Sequence, residues 1–225
     1  MTLKAKICGL RTPETVRAAV SAGAAYIGFV FFEKSPRHVT PEQAAKLAKP
    51  IPRSVVITGV FVNPSNEQLQ KTLEHVPLDL IQLHGTETPK RLQDIKFRFN
   101  LPVMKAITIS CPDDMEEANA FQNSADMLLF DAKPPKSCSN TLENTPEDYL
   151  PGGNGLSFDW KIMTGTKWKI PWMLSGGLNA DNISDALKIS GARIVDISSG
   201  LEDSPGEKSI AKITAFLQAV QKDKK

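Results

Sequence analysis

The feature that most constrains the fold is a regular alternation of short apolar runs with segments of helical period. Such alternation is typical of parallel sheets built from βα units. Eight strands separated by seven or eight helices fit a closed (β/α)8 TIM barrel better than an open doubly wound sheet. The predicted strands are Lys4–Cys8, Ala25–Val30, Ser54–Phe61, Asp79–Leu83, Pro102–Ala106, Asp126–Phe130, Pro171–Ser175 and Arg193–Ile197.

The segments between these strands open with helix-start signals. Most combine a capping residue with an early Pro or acidic residue, as in Thr12-Pro13, Thr40-Pro41, Asn63-Pro64-Ser65, Thr88-Pro89 and Cys111-Pro112-Asp113. No Gly-x-Gly-x-x-Gly follows the first strand, which argues against a dinucleotide-binding fold. The 225 residues suit one barrel domain over 1–225, since such barrels have about 250. A long loop is expected after the sixth strand, at about 132–158.

Two turns near the end of the chain favour binding of an anion. Gly176-Gly177 follows the seventh predicted strand, and Ser199-Gly200 follows the eighth. Backbone N–H groups at such strand-to-helix turns are unpaired, and glycine lets an anion approach them closely. In a barrel, the turns after the last two strands usually hold the phosphate of a phosphosugar. Two ordinary helix N-termini are the alternative interpretation.

The first strand places a thiol at the catalytic end of the predicted barrel. Side chains alternate along a strand, so Lys6 and Cys8 point inward if the apolar Ile7 faces the helices. Gly9 is expected to leave space over the Cys8 thiol. Lys6 could favour its thiolate form, or instead pair with Asp196, which should face inward on the last strand. Cys8 could also be a small buried apolar residue without a catalytic role.

Further polar residues are predicted at the same rim. Arg37, after the second strand, suits a planar carboxylate because its fork can bond both oxygens, although a solvated loop Arg is the alternative. Gln82 and His84 share the inward face of the fourth strand, and hydrogen bonding to substrate is the favoured role for His84 over acid–base chemistry. Asp131 ends the sixth strand, where a carboxylic acid can retain its proton and donate it, or can simply cap a turn.

Composition excludes several classes of protein. A net charge of +2 gives no support for a nucleic-acid or membrane partner, and the longest apolar run is too short to cross a bilayer. Three cysteines without paired spacing form neither a disulfide framework nor a zinc site. We therefore expect a cytoplasmic protein with free thiols, acting as a monomer or a homodimer. The apolar Phe216 and Leu217 near the C-terminus would suit either a core or an interface.

Motifs along almost the whole chain resemble one family. They are Lys6-Ile-Cys-Gly-Leu10, Gly28-Phe-Val-Phe31, Ser35-Pro-Arg-His38, Gly59-Val-Phe-Val-Asn63, Gln82-Leu-His-Gly85, Leu129-Phe-Asp-Ala-Lys133, Gly152-Gly-Asn-Gly155, Phe158-Asp-Trp160, Leu174-Ser-Gly-Gly-Leu178 and Asp196-Ile-Ser-Ser-Gly-Leu-Glu202. Together and in this order they resemble the phosphoribosylanthranilate isomerases of tryptophan biosynthesis.

The resemblance implies an Amadori rearrangement of N-(5-phosphoribosyl)anthranilate to 1-(2-carboxyphenylamino)-1-deoxyribulose 5-phosphate. It implies Asp131 as the general acid that opens the sugar ring, Cys8 as the general base at C2′, and Arg37 as the ligand of the anthranilate carboxylate. Substrate contacts are expected from Lys6, Gln82 and His84, and phosphate contacts from Gly155, Gly176, Gly177, Ser199 and Gly200. No metal or organic cofactor is implied, because the substrate amine itself forms the Schiff base.

The chain departs from the family pattern in two places. Asn154 stands where the family usually has Thr, and the loop Lys136–Leu150 is longer than usual. Another phosphosugar barrel is the alternative, either a ribulose-phosphate epimerase or an indole-glycerol-phosphate synthase. The epimerase would need metal-binding His and Asp residues at strand ends, and the synthase would need catalytic Lys and Glu residues. A barrel that binds phosphosugar without turnover is a further alternative, although binding alone needs neither Cys8 nor Asp131.

Overall fold

The computed structural model describes residues 3–132, 152 and 155–222. Eight parallel strands pair in sequence order and close into a barrel, with the first strand next to the eighth, which confirms the predicted fold class. The strands are β1 (Lys4–Cys8), β2 (Tyr26–Val30), β3 (Val56–Phe61), β4 (Leu80–Leu83), β5 (Val103–Ile109), β6 (Met127–Ala132), β7 (Trp172–Leu174) and β8 (Ile194–Ile197). The fifth strand extends beyond its predicted end at Ala106, because it pairs with β6 as far as Ala132.

The first five helices begin at or just after the predicted start signals. They are α1 (Pro13–Ser21), α2 (Pro41–Ala48), α3 (Asn66–His75), α4 (Pro89–Phe99), α5 (Asp114–Phe121), α6 (Ile183–Ser190) and α7 (Ile210–Lys222). The hydroxyls of Thr12, Thr40 and Thr88 each accept a hydrogen bond from a backbone N–H in the first turn, directly before a Pro. Of the helices in the described residues, none has the length and apolar character needed to cross a membrane.

The connection from β6 to β7 differs from the others in its described part. Between Gly155 and β7, the described residues contain a short 3-10 turn, Trp160–Met163, and no α-helix. Aromatic rings pack beside it, with the Phe130 ring centroid 4.9 Å from that of Trp168 and 5.7 Å from that of Trp172. The predicted loop at about 132–158, including Asn154, lies largely in residues 133–151 and 153–154, outside the described residues.

The core has two layers separated by the barrel wall. Inward side chains fill the barrel below its rim, and they include Tyr26, Leu80, Met104, Leu129 and Met173. A larger apolar layer lies between the strands and the surrounding helices. Phe216 and Leu217 belong to this outer layer, with 0% and 1% of their surfaces exposed, so they are core residues and not an interface. Burial of both apolar layers drives closure of the barrel.

A small hairpin follows the barrel and covers part of the rim. Its antiparallel strands are β9 (Glu202–Ser204) and β10 (Glu207–Lys208). Gly206 in the connecting turn has a positive φ of +85°, and its Cα packs directly against the carbonyl oxygen of Pro36. A side chain at Gly206 would meet that oxygen, so glycine lets the hairpin rest on the loop that carries Arg37.

Candidate active site

A cleft opens at the carboxyl ends of the barrel strands. It gathers the residues singled out from the sequence, although they come from distant parts of the chain. Its lining includes Cys8, Arg37, Gln82, His84, Asp131, Gly155, Gly176, Gly177, Ser199 and Gly200. Lys6 is fully buried beneath the cleft, at the level of Asp196.

The Cys8 thiol ends β1 and faces the cleft with 7% of its residue surface exposed. Burial raises the pKa of this thiol, and Asp196 raises it further, whereas Lys6 and Lys208 act to lower it. The expectation that Lys6 would favour the thiolate is therefore correct in the direction of its effect, but burial outweighs it. In the absence of substrate, the environment of Cys8 favours the neutral thiol.

Below Cys8, the Lys6 ammonium lies 2.9 Å from Oδ1 of Asp196. Both side chains are almost fully buried, and Ser175 Oγ lies 3.5 Å from the other carboxylate oxygen of Asp196. Burial acts to lower the pKa of Lys6, but Asp196 and Cys8 together raise it above its ordinary value. Lys6 is thus a partner of Asp196, as one of the two sequence interpretations proposed, and a cation directly under the thiol.

A polar row crosses the opposite side of the cleft. Gln82 Nε2 lies 3.2 Å from His84 Nδ1, and His84 Nε2 lies 3.5 Å from Oδ2 of Asp131. When the Gln82 amide donates to Nδ1, a neutral His84 carries its proton on Nε2, on the side of Asp131. Gln82 Oε1 and His84 Nε2 are buried and have no hydrogen-bond partner among the described residues. Buried polar atoms of this kind are suited to a ligand that supplies the missing hydrogen bonds.

Gly152 lies against this row. A Cβ at Gly152 would be 2.6 Å from Cε1 of His84 and 2.8 Å from Oδ2 of Asp131. These distances are too short for a side chain, so the backbone of Gly152 closely approaches the His84 imidazole and the Asp131 carboxyl group. Glycine here keeps room between the loop and the two side chains.

Arg37 is held by a carboxylate and is not a solvated loop residue. Its Nε donates to Oε1 of Glu202 at 2.7 Å and its Nη2 to Oε2 at 2.8 Å, with 6% of the residue exposed. Although burial acts to raise the pKa of Glu202, Arg37 and Lys208 together lower it. A Cβ at Gly9 would be 2.7 Å from Cδ of Arg37. Glycine at position 9 therefore leaves room for the Arg37 side chain, and the expectation that it leaves space over the thiol stays a prediction.

The glycine turns after β7 and β8 lie beside each other. Gly176 and Gly177 have φ values of +91° and +60°, and a Cβ at Gly177 would be 2.9 Å from the carbonyl oxygen of Leu156. Gly200 packs closely on the carbonyl of Leu178, which belongs to the preceding turn. The predicted helix start at Ser199 is a 3-10 turn, Ser199–Leu201, because the chain leaves it at once to form the hairpin. The glycine backbone of both turns lines the cleft.

The sequence indicated no role for three residues of this rim, which are Ser198, Glu202 and Lys208. Glu202 closes a recognised motif, but its pairing with Arg37 joins positions 165 residues apart. Lys208 pairs with Glu202 and donates to Ser198 Oγ at 3.2 Å. Strand alternation could not reveal these contacts, since they depend on how the hairpin packs across the rim. The Pro205-Gly206 dipeptide, followed by a charged pair, is a local signal of the turn in that hairpin.

Comparison with known proteins gives one consistent family. Residues 5–219 match the family model described as N-(5'phosphoribosyl)anthranilate (PRA) isomerase. The chain is 49% identical over 222 residues to an N-(5'-phosphoribosyl)anthranilate isomerase of Parvibaculum lavamentivorans, covering 99% of this chain and 100% of that protein. A relative of the same name from Rhodospirillum centenum is 48% identical over 217 residues, covering 96% of this chain and 97% of that protein.

Solved structures agree with this similarity. The phosphoribosylanthranilate isomerase of Thermotoga maritima is 32% identical with a TM-score of 0.84, covering 98% of this chain and 100% of that one. Monomers generated from this dimeric enzyme match at 31% identity with a TM-score of 0.81 and the same coverage. A phosphoribosylanthranilate isomerase in complex with reduced 1-(o-carboxyphenylamino)-1-deoxyribulose 5-phosphate is 30% identical, with a TM-score of 0.82 and again the same coverage.

Proposed function

The chain belongs to the family of phosphoribosylanthranilate isomerases, and from this we propose how its own residues carry out the reaction. The enzyme converts N-(5'-phosphoribosyl)anthranilate to 1-(2-carboxyphenylamino)-1-deoxyribulose 5-phosphate, an Amadori rearrangement in tryptophan biosynthesis. Membership of this family sets aside the epimerase, the synthase and the non-catalytic barrel. The observation that carries the assignment of roles is that one cleft holds a thiol, a carboxyl group, a guanidinium and glycine turns.

Asp131 is proposed as the general acid of the first step. It would protonate the furanose ring oxygen, so that the ring C–O bond breaks and the substrate nitrogen becomes a Schiff base. Support comes from its place in the cleft, with 5% of the residue exposed and one oxygen 3.5 Å from His84. The other oxygen accepts from the backbone N–H of Ala132 at 3.0 Å, which fixes the orientation of the carboxyl group.

Cys8 is proposed as the general base of the second step. Its thiolate would take the proton from C2′ of the Schiff base, and the resulting enolamine then tautomerises to the ketone. The cations of Lys6 and Lys208 act in favour of the thiolate, against the effect of burial. One group must be protonated and the other deprotonated in the same cleft, and different surroundings of a carboxylic acid and a thiol can provide this.

The two ends of the substrate are assigned to different groups of the cleft. Arg37 is proposed to bind the anthranilate carboxylate, supported by its buried guanidinium in the cleft wall. Backbone N–H groups of the glycine turns would hold the phosphate, with Gly155, Gly176, Gly177, Ser199 and Gly200 as the proposed contacts. Gln82 and His84 are proposed to hydrogen-bond the sugar through their unpaired atoms, and Lys6 to act from below through Cys8.

The setting of the enzyme follows from the same chemistry. No metal or organic cofactor is proposed, because the substrate amine forms the Schiff base. We propose a cytoplasmic location, since a catalytic thiol must stay reduced and cytosolic thiols are kept reduced. We propose a monomer or a homodimer over a single domain, residues 1–225, and analytical ultracentrifugation would distinguish the two states.

The decisive experiment follows the loss of anthranilate-type fluorescence when the protein meets freshly generated phosphoribosylanthranilate. Turnover is expected for the wild type, with a loss of at least about 100-fold in kcat for Cys8→Ala and Asp131→Asn, as is usual for general acid–base groups. Cys111→Ala is the matched control, because Cys111 lies outside the cleft. Near-wild-type kcat in either site variant would refute the role given to that residue.

A further inference from the structure

The hairpin places a buried ammonium at the rim of the active site. The Lys208 side chain is 1% exposed, and its Nζ pairs with the carboxylate of Glu202 and donates to Ser198 Oγ at 3.2 Å. Lysine is almost never fully buried unless it is paired or functional. Burial lowers the pKa of Lys208, while Glu202 acts to raise it, so Glu202 helps to keep this ammonium charged.

A short chain of hydrogen bonds connects this ammonium to the catalytic strand. Ser198 Oγ accepts from Lys208 Nζ and donates to the backbone carbonyl of Cys8 at 3.2 Å. Lys208 therefore faces the end of β1 from the hairpin, whereas Lys6 faces Cys8 from within the strand. Two cations from separate elements thus approach the end of β1 that carries Cys8.

We propose that Lys208 is a positioning residue of this isomerase, whose buried ammonium, held between Glu202 and Ser198, favours the thiolate form of Cys8. The inference rests on the proposed role of Cys8 as the base and extends it to a group on another element. Lys208 does not touch the reacting atoms in this scheme. It acts through the charge that it presents to Cys8 and through the bond from Ser198 to the Cys8 carbonyl.

The charges around Cys8 determine the sign of the effect. Lys6 on its own strand and Lys208 on the hairpin favour the thiolate, and Asp196 on β8 opposes it. Arg37 and Glu202 form a pair of opposite charges at the same rim, so their fields largely cancel at the thiol. Burial of Cys8 raises its pKa, and the removal of either cation would raise it further.

A purely structural role is the competing explanation, because Lys208 also braces Glu202, which holds Arg37. Loss of that brace alone would weaken binding of the carboxylate and raise KM equally at every pH. Loss of a charge near Cys8 would instead lower kcat/KM most at low pH, and raising the pH would restore it as the thiol ionises. The two explanations therefore differ in pH dependence and not only in the size of the effect.

The direct test measures the ionisation of Cys8 by alkylation. Iodoacetamide labelling of the tryptic peptide Ile7–Arg11, followed by mass spectrometry across pH, reports on Cys8 separately from the other cysteines. Lys208→Met is expected to shift the midpoint upward by about one pH unit, with labelling near neutral pH slower by about tenfold. Lys212→Met is the matched control, since the exposed Lys212 also contacts the hairpin, through the Glu202 carbonyl and Asp203.

The kinetic test uses the same variants. Lys208→Met should move the rising limb of kcat/KM to higher pH, and Lys208→Arg, which keeps the charge, should restore it. An unchanged labelling midpoint in Lys208→Met, or an activity loss that is equal at every pH, would overturn the proposal. If Lys208→Met does not fold, Lys208→Gln, which removes the charge but keeps a hydrogen-bond donor for Ser198 and Glu202, carries the same labelling test.

Failure of the catalytic assignment gives a different result. If Cys8→Ala retained turnover, Cys8 would not be the base, but the labelling midpoint of Cys8 would still report the influence of Lys208. A shifted midpoint with normal Cys8→Ala turnover refutes the role of Cys8. An unshifted midpoint with inactive Cys8→Ala refutes the role of Lys208.

Discussion

Gly28 lies directly opposite Cys8 in the ladder between β1 and β2, and a Cβ at Gly28 would stand 2.8 Å from the Cys8 sulfur. Because Gly28 on β2 has no side chain, the Cys8 thiol on β1 projects into the space that a side chain there would occupy. Gly28 does not have a positive φ, so its backbone accepts any residue, and the requirement for glycine at this position is one of space alone.

Gly28→Ala should displace the sulfur of Cys8. The new methyl group cannot coexist with the sulfur in its present position, so we expect kcat to fall by about 10- to 100-fold while KM changes less. Overpacking should also cost about 1–3 kcal/mol in the free energy of unfolding. Steady-state kinetics and chemical denaturation would measure the two effects.

Gly59→Ala is the matched control for this prediction. Gly59 lies on the neighbouring strand β3, but faces the outer layer, where a Cβ would be 2.5 Å from Cδ1 of Leu78. It should lower stability by a similar amount and leave kcat near that of the wild type. Equal losses of kcat in both variants would show that the effect at Gly28 is one of general packing.

The pH dependence of the wild type should follow the ionisation of Cys8. Because burial holds the pKa of this thiol above its ordinary value, the thiolate fraction is small at neutral pH and grows as the pH rises. We therefore expect kcat/KM to increase with pH through the alkaline range, beyond about pH 8.5. A profile that is flat from pH 7 to 10 (roughly the range around the ordinary thiol pKa) would contradict Cys8 as the base.

Arg37→Ala should act mainly on binding. The loss of a charge-assisted contact to the substrate carboxylate costs about 1.5–3 kcal/mol, or about 10- to 100-fold in KM. Arg11→Ala is the control, because the exposed Arg11 donates to the carbonyl of Pro36 on the same loop at 2.8 Å. An unchanged KM in Arg37→Ala, measured at saturating and limiting substrate, would remove the carboxylate assignment.

Glu202 should contribute to the loss of stability in acid. Arg37 and Lys208 hold its pKa below the ordinary value, although burial opposes them. A carboxyl group whose pKa is lowered in the folded state stabilises the fold at pH values above its unfolded pKa of about 4.3. This stabilisation is lost as the pH falls towards the folded pKa. As the pH is lowered from the unfolded to the folded pKa of Glu202, the Tm of Glu202→Gln should therefore fall less than that of the wild type. Glu207→Gln, on the exposed face of the same hairpin, should show the same fall in Tm as the wild type.

The sequence was sufficient to predict the barrel and the inward faces of its strands. Alternation along a strand is a property of the backbone, so the placement of Lys6, Cys8 and Asp131 follows from counting positions. Their common rim then follows from closure of the parallel sheet. Helix starts were predictable for the same reason, since a Thr followed by a Pro acts within one turn of chain.

The charge network across the rim was not predictable in this way. The pairing of Arg37 with Glu202 depends on how a hairpin packs on a loop, and the close approach of the Arg37 side chain to Gly9 depends on the path of that loop. The direction of the Cys8 pKa depends on a balance between burial and nearby charges. Such a balance is set by distances in three dimensions, and the sequence gives only the identity of the charges.

Closure of the barrel between β1 and β8 also sets the order in which the enzyme is completed during synthesis. Lys6 leaves the ribosome 190 positions before its counterion Asp196. Until the last strand arrives, β1 is an unpaired sheet edge and its lysine has no carboxylate beside it. A nascent chain therefore carries the cysteine proposed as the base through the synthesis of seven further strands, and it acquires the surroundings that tune its thiol only when the ring of strands closes.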